Sequence, residues 1–382
     1  MKVFIAGIDG YIGWPLAQYL VSKGHTVSGC DNMLRRNLVK EVGGISVIPI
    51  PSYSKRAELL KKKFGISISF ADLTDFDSIK SQLVHYKPDA IVHLAEMPSA
   101  PYSMAGPKEA TFTQTNNVIG TLNLLYAMKE ACPDAALTKL GTMGEYGYYD
   151  LDIPEGFFEI EYKGRKSIVP FPKRPGSYYH QSKLHDSHNI MFACDTWNLR
   201  STDIMQGIVY GSRTKEMGRS KLLKTRLDID ACFGTVLNRF CAQAVIEEPL
   251  TLYGKGKQKR GFLPLCDSLQ CLGIVIENPP DIGEYRVFNQ FEEVWCLEDL
   301  ANKVVSVAKK FNINASIVNI DNPRKEKEDH YYNPEHKKLL ELGYKPSHNI
   351  DEQIIYIMQD MIDNKERLER NRNVLLPTIK WV

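Results

Sequence analysis

The sequence predicts an α/β fold: a doubly wound parallel sheet with a smaller C-terminal lobe. Three observations carry this. Apolar, strand-like runs alternate with amphipathic helical ones as far as residue 142. A glycine-spaced turn, GIDGYIG, directly follows the first run. The alternation then breaks near residue 150.

The elements follow in order. KVFIAG (2–7) reads as a strand, GWPLAQYLVSKG (13–24) as a helix and TVSGCD (26–31) as a second strand. SISFAD (67–72) is a third strand, DFDSIKSQLVHY (75–86) a helix and DAIVHLA (89–95) a strand. NNVIGTLNLLYAMKEAC (116–132) is a long helix, and AALTKLGT (135–142) the strand after it. EIEYKGRKSIVPFPKRPG (159–176) predicts a hairpin turning at Lys163–Gly164, then a proline-rich connection. A helix is expected over 177–196, and a strand and loop over 199–211. NKERLERNRN (364–373) reads as a solvated helix end.

The totals exclude several classes. Net charge is +2, from 48 basic and 46 acidic residues, so nucleic acid is not the expected partner. No apolar run approaches the roughly 18 residues of a membrane span. The N-terminus reads as a first strand and not as a signal peptide. Eight scattered cysteines without a C-x-x-C pair predict reduced thiols, a cytoplasmic protein and no metal site.

Gly7, Gly10 and Gly13 sit between a strand and a helix. They permit a tight turn and let the backbone approach a pyrophosphate at a positive helix N-terminus. Asp31 ends the second strand, where an acid hydrogen-bonds a ribose 2′-hydroxyl and repels a 2′-phosphate. The pattern predicts a Rossmann-type domain that takes NAD, with Arg35 and Arg36 leaving NADP as the alternative. Asp72 is placed to reach the adenine or to cap the helix that follows.

SYYHQSK (177–183) puts Tyr179 and Lys183 one helical turn apart. A phenol titrates near ~10 and is a poor base at neutral pH. An ammonium on the same face lowers that value, and the phenolate can then take an alcohol proton as hydride leaves. Thr142, at the carboxyl end of its strand, is the expected hydroxyl donor.

Together these residues resemble the extended short-chain dehydrogenase/reductase superfamily. GTMGEYG (141–147), SYYHQSKLHDSHN (177–189), SAPYSM (99–104), NNVIGTLN (116–123), LNRFCAQA (237–244), LYGKGKQKRGFL (252–263) and NPRKEKEDHYYNPEHKKLLELGYKP (322–346) resemble the UDP-sulfoquinovose synthase family within it. The resemblance implies conversion of UDP-glucose and sulfite to UDP-sulfoquinovose with NAD held throughout. Oxidation at C4 acidifies C5–H, water leaves across C5 and C6, sulfite adds at C6, and hydride returns to C4. It implies residues 1–211 as the NAD-binding domain, with a hairpin insertion near 151–176. Residues 212–382 are implied as mainly a UDP-sugar lobe, some segments of which return to the sheet.

The resemblance also implies residue roles. Tyr179 is the C4 alcohol base, Lys183 lowers its pKa and holds the nicotinamide ribose, and Thr142 binds O4. Tyr11, Ile12, Asn32, Arg35, Leu73, Leu94, Glu96, Asn117 and Gln206 join the cofactor contacts. Met143, Gly144 and Gln206 face the substrate. Arg239, Arg260 and Arg324 are candidate phosphate contacts, with Arg260 and Arg324 favoured for the diphosphate. The related 4,6-dehydratases carry Asp-Glu where this chain has Met143 and Gly144, which moves the elimination to Glu145 and His180. The family pattern also has an arginine before SAPYSM, where this chain has Glu96, Met97 and Pro98. Sulfite must therefore meet another cation or come from a delivering partner protein.

A homodimer through the helices at 116–132 and 177–196 is the expected assembly. The alternatives are a UDP-hexose 4-epimerase, a 4,6-dehydratase, and a non-catalytic nucleotide-binding regulator. The missing Asp-Glu pair counts against the dehydratase. Retention of Tyr179 and Lys183 counts against the regulator.

Overall fold

The structure, a computed structural model, describes residues 1–324, 330–347 and 349–381. Residues 325–329, inside the 322–346 stretch, lie outside the described residues, as do 348 and 382 of the C-terminal lobe.

The strands in chain order begin with β1 (Lys2–Ala6), β2 (Thr26–Asp31), β3 (Ser67–Phe70), β4 (Ala90–His93) and β5 (Ala136–Thr142). The hairpin β6 (Phe157–Tyr162) and β7 (Arg165–Pro170) follows, then β8 (Arg200–Gln206) and β9 (Ile208–Tyr210). Later come β10 (Leu250–Tyr253), β11 (Lys259–Pro264) and β12 (Tyr285–Gln290). Seven strands form one parallel sheet in the order β12-β8-β5-β4-β1-β2-β3. The winding reverses between β1 and β4, and the crevice at their carboxyl ends is where such sheets take ligands. The pairing β5–β8 sets Thr142 beside Gln206, and β8–β12 sets Gln206 beside Gln290.

The inner strands are apolar because both faces are covered. On one face, helices α1 (Gly13–Ser22), α2 (Leu34–Glu41) and α3 (Tyr53–Phe64) follow the first two strands. Trp14, Leu16 and Leu20 of α1 and Leu60 of α3 join a core with Val3, Ile5 and Leu269. On the other face lie α4 (Phe76–Tyr86), α5 (Ala100–Ser103), α6 (Pro107–Gln114), α7 (Gly120–Ala131) and α8 (Tyr178–Trp197). Ile79, Leu124, Met128 and Ile190 pack there against Phe4, Ile91 and Leu137. A separate core joins Phe240, Leu300 and Ile354 of the C-terminal lobe.

The alternation read from the sequence is present, with three differences. The third strand stops at Phe70, because Asp72 turns the chain by accepting from the Thr74 N–H at 2.8 Å. The cap of α4 is Asp75, which accepts from the Ser78 N–H. The long helix starts earlier, at Pro107, and carries a π-helical segment over Thr115–Ile119. Residues 32–66, unassigned from pattern, hold α2 and α3. The hairpin turns where expected: Lys163 and Gly164 have φ of 53° and 73°.

Candidate active site

The glycine turn has no room for side chains. A Cβ on Gly7 would meet the Leu94 backbone at 2.7 Å, and one on Gly13 would run into the Gly7 carbonyl. The backbone can therefore approach a pyrophosphate at the start of α1. The Asp31 carboxylate at the end of β2 accepts from the Asp9 N–H at 3.0 Å and the Met33 N–H at 2.7 Å. Burial, then the nearby Asp9 carboxylate, pushes Asp31 up to about 6. Asn32 donates to Asp72 at 2.9 Å, which joins the ends of the second and third strands. Asn117 is buried in the π segment, accepts from the Met97 N–H at 2.8 Å and donates to Ser182 at 2.9 Å. It thereby ties the loop after β4 to α8.

Both arginines that left NADP open are engaged elsewhere. Arg36 grips Asp9 at 2.6 and 2.9 Å. Arg35 donates to Asp228 at 2.9 Å and to the Phe233 carbonyl at 2.8 Å, so it faces the C-terminal lobe. The turn, the carboxylate and the paired arginines fit NAD.

A cleft with about 370 Å³ of free volume opens at the carboxyl ends of β5 and β8, within the usual range of ligand sites. Thr142, Met143, Gly144, Tyr179, His180 and Gln206 line one end. Ser177 caps α8 and also bonds the His180 Nδ1 at 3.1 Å. Thr142 ends β5, and its hydroxyl accepts from the Gly144 N–H at 3.2 Å. That leaves the hydroxyl proton for a group in the cleft. A Cβ on Gly144 would fall onto the His180 imidazole. Glycine is thus required for His180 to occupy the place where a dehydratase-like Glu side chain would start. Gln206 is buried and donates to Ser268 at 2.8 Å and Gln290 at 2.5 Å.

Tyr179 and Lys183 are not arranged as the spacing alone implies. The Lys183 ammonium pairs with Glu96 at 2.8 Å and donates to the Leu140 carbonyl at 2.5 Å, 6.0 Å from the Tyr179 ring centroid. Burial, then Glu96 and Glu145, pushes the phenol up. In this state Tyr179 holds its proton, and Lys183 does not offset the rise. Glu96, expected at the cofactor, is instead the buried partner of Lys183.

Glu145 lies behind Thr142 and does not line the cleft. Its Oε1 accepts from the Thr142 N–H at 3.2 Å and meets Lys139 at 3.3 Å; its Oε2 accepts from Lys173 at 2.7 Å. Burial pushes Glu145 up, but Lys139 and Lys173 outweigh it and bring it down to about 2. Its expected place in the elimination is therefore corrected to a supporting one: a carboxylate pinned by two ammonium groups is a weak base with no proton to give. The sequence reading missed Lys139, a fully buried lysine in the middle of β5. Its ammonium also reaches the Lys183 carbonyl at 2.9 Å, Ser187 at 2.9 Å and Asp203 at 3.3 Å. The signal was present: a lysine inside AALTKLGT has no solvent to reach.

The other end of the cleft belongs to the C-terminal lobe. Arg239 is buried, donates to the Thr251 carbonyl at 3.0 Å and also bonds the Tyr253 hydroxyl. Its Nε is buried without a partner. The Arg324 guanidinium is also near Tyr253, 5.9 Å from the ring centroid. Among the described residues no carboxylate pairs with either. Arg260 donates to the Tyr148 hydroxyl at 3.1 Å, nearer Thr142, so the structure groups Arg239 with Arg324 and sets Arg260 apart.

The model of the NAD dependent epimerase/dehydratase family matches residues 3–289. The chain belongs to that family. Within it, a UDP-sulfoquinovose synthase from Sulfolobus acidocaldarius is 44% identical over the whole chain and 98% of its own length. The chloroplastic UDP-sulfoquinovose synthase of Spinacia oleracea is 43% identical over the whole chain and 79% of its own. This chain stands in the synthase branch. A UDP-glucuronic acid 4-epimerase from Bacillus cereus, solved with UDP-glucuronic acid and NAD, has a TM-score of 0.70 at 21% identity, covering 94% of this chain and 99% of its own. That likeness concerns the fold alone. NAD is the cofactor of this epimerase/dehydratase family member.

Two outcomes follow. Gly144→Ala should displace the His180 ring and lower kcat roughly 10–100-fold while leaving NAD bound, read by turnover and by cofactor content after purification. Lys139→Met should cost about 3–5 kcal/mol at pH 7 by stranding buried carboxylates, read by denaturant unfolding. Glu145 is lowered in the fold, so its contribution is complete above the ordinary Glu value and lost as pH falls toward about 2. The gap between parent and variant should therefore narrow below pH ~4.5. A gap that is constant with pH would remove Glu145 from the explanation.

Proposed function

We propose that the protein converts UDP-glucose and sulfite to UDP-sulfoquinovose. The observation that carries this reading is the Thr142–Gly144–His180 arrangement. It puts an imidazole where 4,6-dehydratases carry acids, in a chain similar over its full length to synthases. A plain 4-epimerase would leave His180 without work, because it does no chemistry at C5 or C6.

NAD, when bound, supplies the acceptor that takes hydrogen from C4 and later returns it. Thr142 donates its hydroxyl proton to O4 and holds the sugar. Tyr179 takes the O4 proton as C4 becomes a ketone and gives it back at the end. For that the phenol must lose its proton, and the Lys183 ammonium, once beside the hydroxyl, would favour the phenolate. The C4 ketone acidifies C5–H. His180, in the cleft beside Thr142, takes that proton and passes one to the departing C6 hydroxyl, so water leaves and a 5,6-ene remains. The sulfite sulfur lone pair forms the C6–S bond, and C5 regains a proton. No external oxidant is consumed. Glu145 acts from behind, keeping the Thr142 turn in place.

Arg239 and Arg324 hold the UDP diphosphate in this reading, because a buried and a half-buried guanidinium with no carboxylate partner among the described residues suit phosphate oxygens. With Pro98 where an arginine was expected, sulfite meets another cation or is brought by a delivering protein. A homodimer is supported by exposed Ile119, Tyr126, Tyr178 and Phe192 on and beside α7 and α8. Eight free thiols support a reducing compartment, and we assign the cytoplasm.

Mass spectrometry of UDP-glucose incubated with the protein, with and without sulfite, tests this directly. A sulfite-dependent UDP-sugar sulfonate formed without added oxidant is expected. UDP-galactose or a 4-keto-6-deoxy sugar instead would hand the function to the epimerase or the dehydratase. Tyr179→Phe should keep UDP-glucose binding and lose at least ~100-fold in kcat.

A further inference from the structure

The nucleotide end of the cleft contains a stack that the proposed chemistry does not use. Arg324 lies 5.4 Å from the Trp381 ring centroid and 5.9 Å from that of Tyr253, and Arg239 lies 4.3 Å from Tyr253. The two guanidinium groups and the two rings thus cluster in the lining of one cleft. Trp381 belongs to residues 377–381, an extended segment without regular structure. The segment is pinned where the Trp381 N–H donates to the Pro323 carbonyl at 2.9 Å, next to Arg324 itself. Only about 20 Å³ of free volume remains between this segment and Pro101, Ala231 and Cys232. That is room for one or two waters, so the segment is seated on the cleft wall and is not draped loosely over it.

Two like charges at one ring, with no carboxylate partner among the described residues, are an incomplete arrangement. Arg239 is 5% exposed, and its Nε has no partner. An anion between the two guanidinium forks would complete it. What keeps Arg324 from swinging away from Arg239 into solvent is the ring contact on each side.

We propose that Trp381 is a positioning residue of the nucleotide subsite: its indole holds the Arg324 guanidinium against Tyr253, so that the Arg324 fork meets a nucleoside diphosphate beside Arg239, and seating of the 377–381 segment is coupled to nucleotide binding. This rests on reading the cleft as a UDP-sugar site. A fork held between two rings loses little side-chain freedom when the diphosphate arrives, and the benefit is in binding. The reacting sugar lies at the far end, beside Thr142 and Tyr179. Trp381 therefore affects affinity and not the chemical step.

The test compares the full-length parent with Trp381→Ala, Trp381→Phe and Arg324→Ala. Turnover is measured against UDP-glucose and sulfite, and UDP alone is titrated calorimetrically. Trp381→Ala should raise KM for UDP-glucose and Kd for UDP about tenfold, equivalent to about 1.4 kcal/mol, while kcat changes less than about twofold and KM for sulfite stays at the parental value. Trp381→Phe, which keeps a ring face, should recover most of the affinity. Parental UDP affinity in Trp381→Ala alongside weakened binding in Arg324→Ala would overturn the role of Trp381 and leave the nucleotide subsite standing. Parental affinity in both would overturn the subsite as well. A fall in kcat without a change in KM, or no recovery in Trp381→Phe, would also overturn the proposal.

Discussion

The site depends on one buried ammonium. Lys139 stands in the middle of β5, and its four partners come from three places: Glu145 after β5, the Lys183 carbonyl and Ser187 on α8, and Asp203 on β8. Burying a lysine is costly, and no part of this one reaches water. Its carboxylate partners make the burial possible, and the partners are immobilised in return. The Thr142 turn is thereby tied to the helix carrying Tyr179 and Lys183. Around it the charges balance: Lys139, Lys173 and Lys183 face Glu145, Asp203 and Glu96. Burial, then Glu96, pushes the fourth acid, Asp186, well above the usual carboxylate range. A network this complete holds geometry well, because removing any member strands another charge.

The contrast with the nucleotide end is informative. Arg35, Arg36 and Arg56 all pair with Asp228 or Asp9. Arg239 and Arg324 do not pair with any carboxylate among the described residues. Two cations together in a cleft, where other arginines are paired, are what the proposed diphosphate site would use. The same logic separates Tyr179 from its final state. Lys183 is paired with Glu96 rather than with the phenol, and the phenol keeps its proton.

Much of this was legible in the sequence. The βα alternation, the glycine turn, Asp31 and the Tyr179–Lys183 pair are local patterns, and a local pattern survives folding. The turn at Lys163–Gly164 was equally local. Long-range pairing was not legible. The commitment of Arg35 to Asp228 joins residues far apart in the chain, and no spacing rule reports it. The retreat of Glu145 behind Thr142 is set by Lys139 and Lys173, which flank it in space and not in any motif. The same is true of Trp381 beside Arg324. The helices at Leu34–Glu41 and Tyr53–Phe64 went unread because each buries only two residues, so their apolar stripes are thin.

The departure at Met143–Gly144 then acquires a physical reading. Exchanging an acid pair for a small residue is usually a loss, but here the missing side chain is what admits His180. Carboxylates so close to the reacting carbons would repel an incoming dianion. An imidazole can serve the proton transfers of the elimination and stand beside an anionic nucleophile without that repulsion. A chemistry that ends in water tolerates acids at this position. One that continues by adding sulfite is better served by a group that is neutral or positive, and the glycine makes room for such a group.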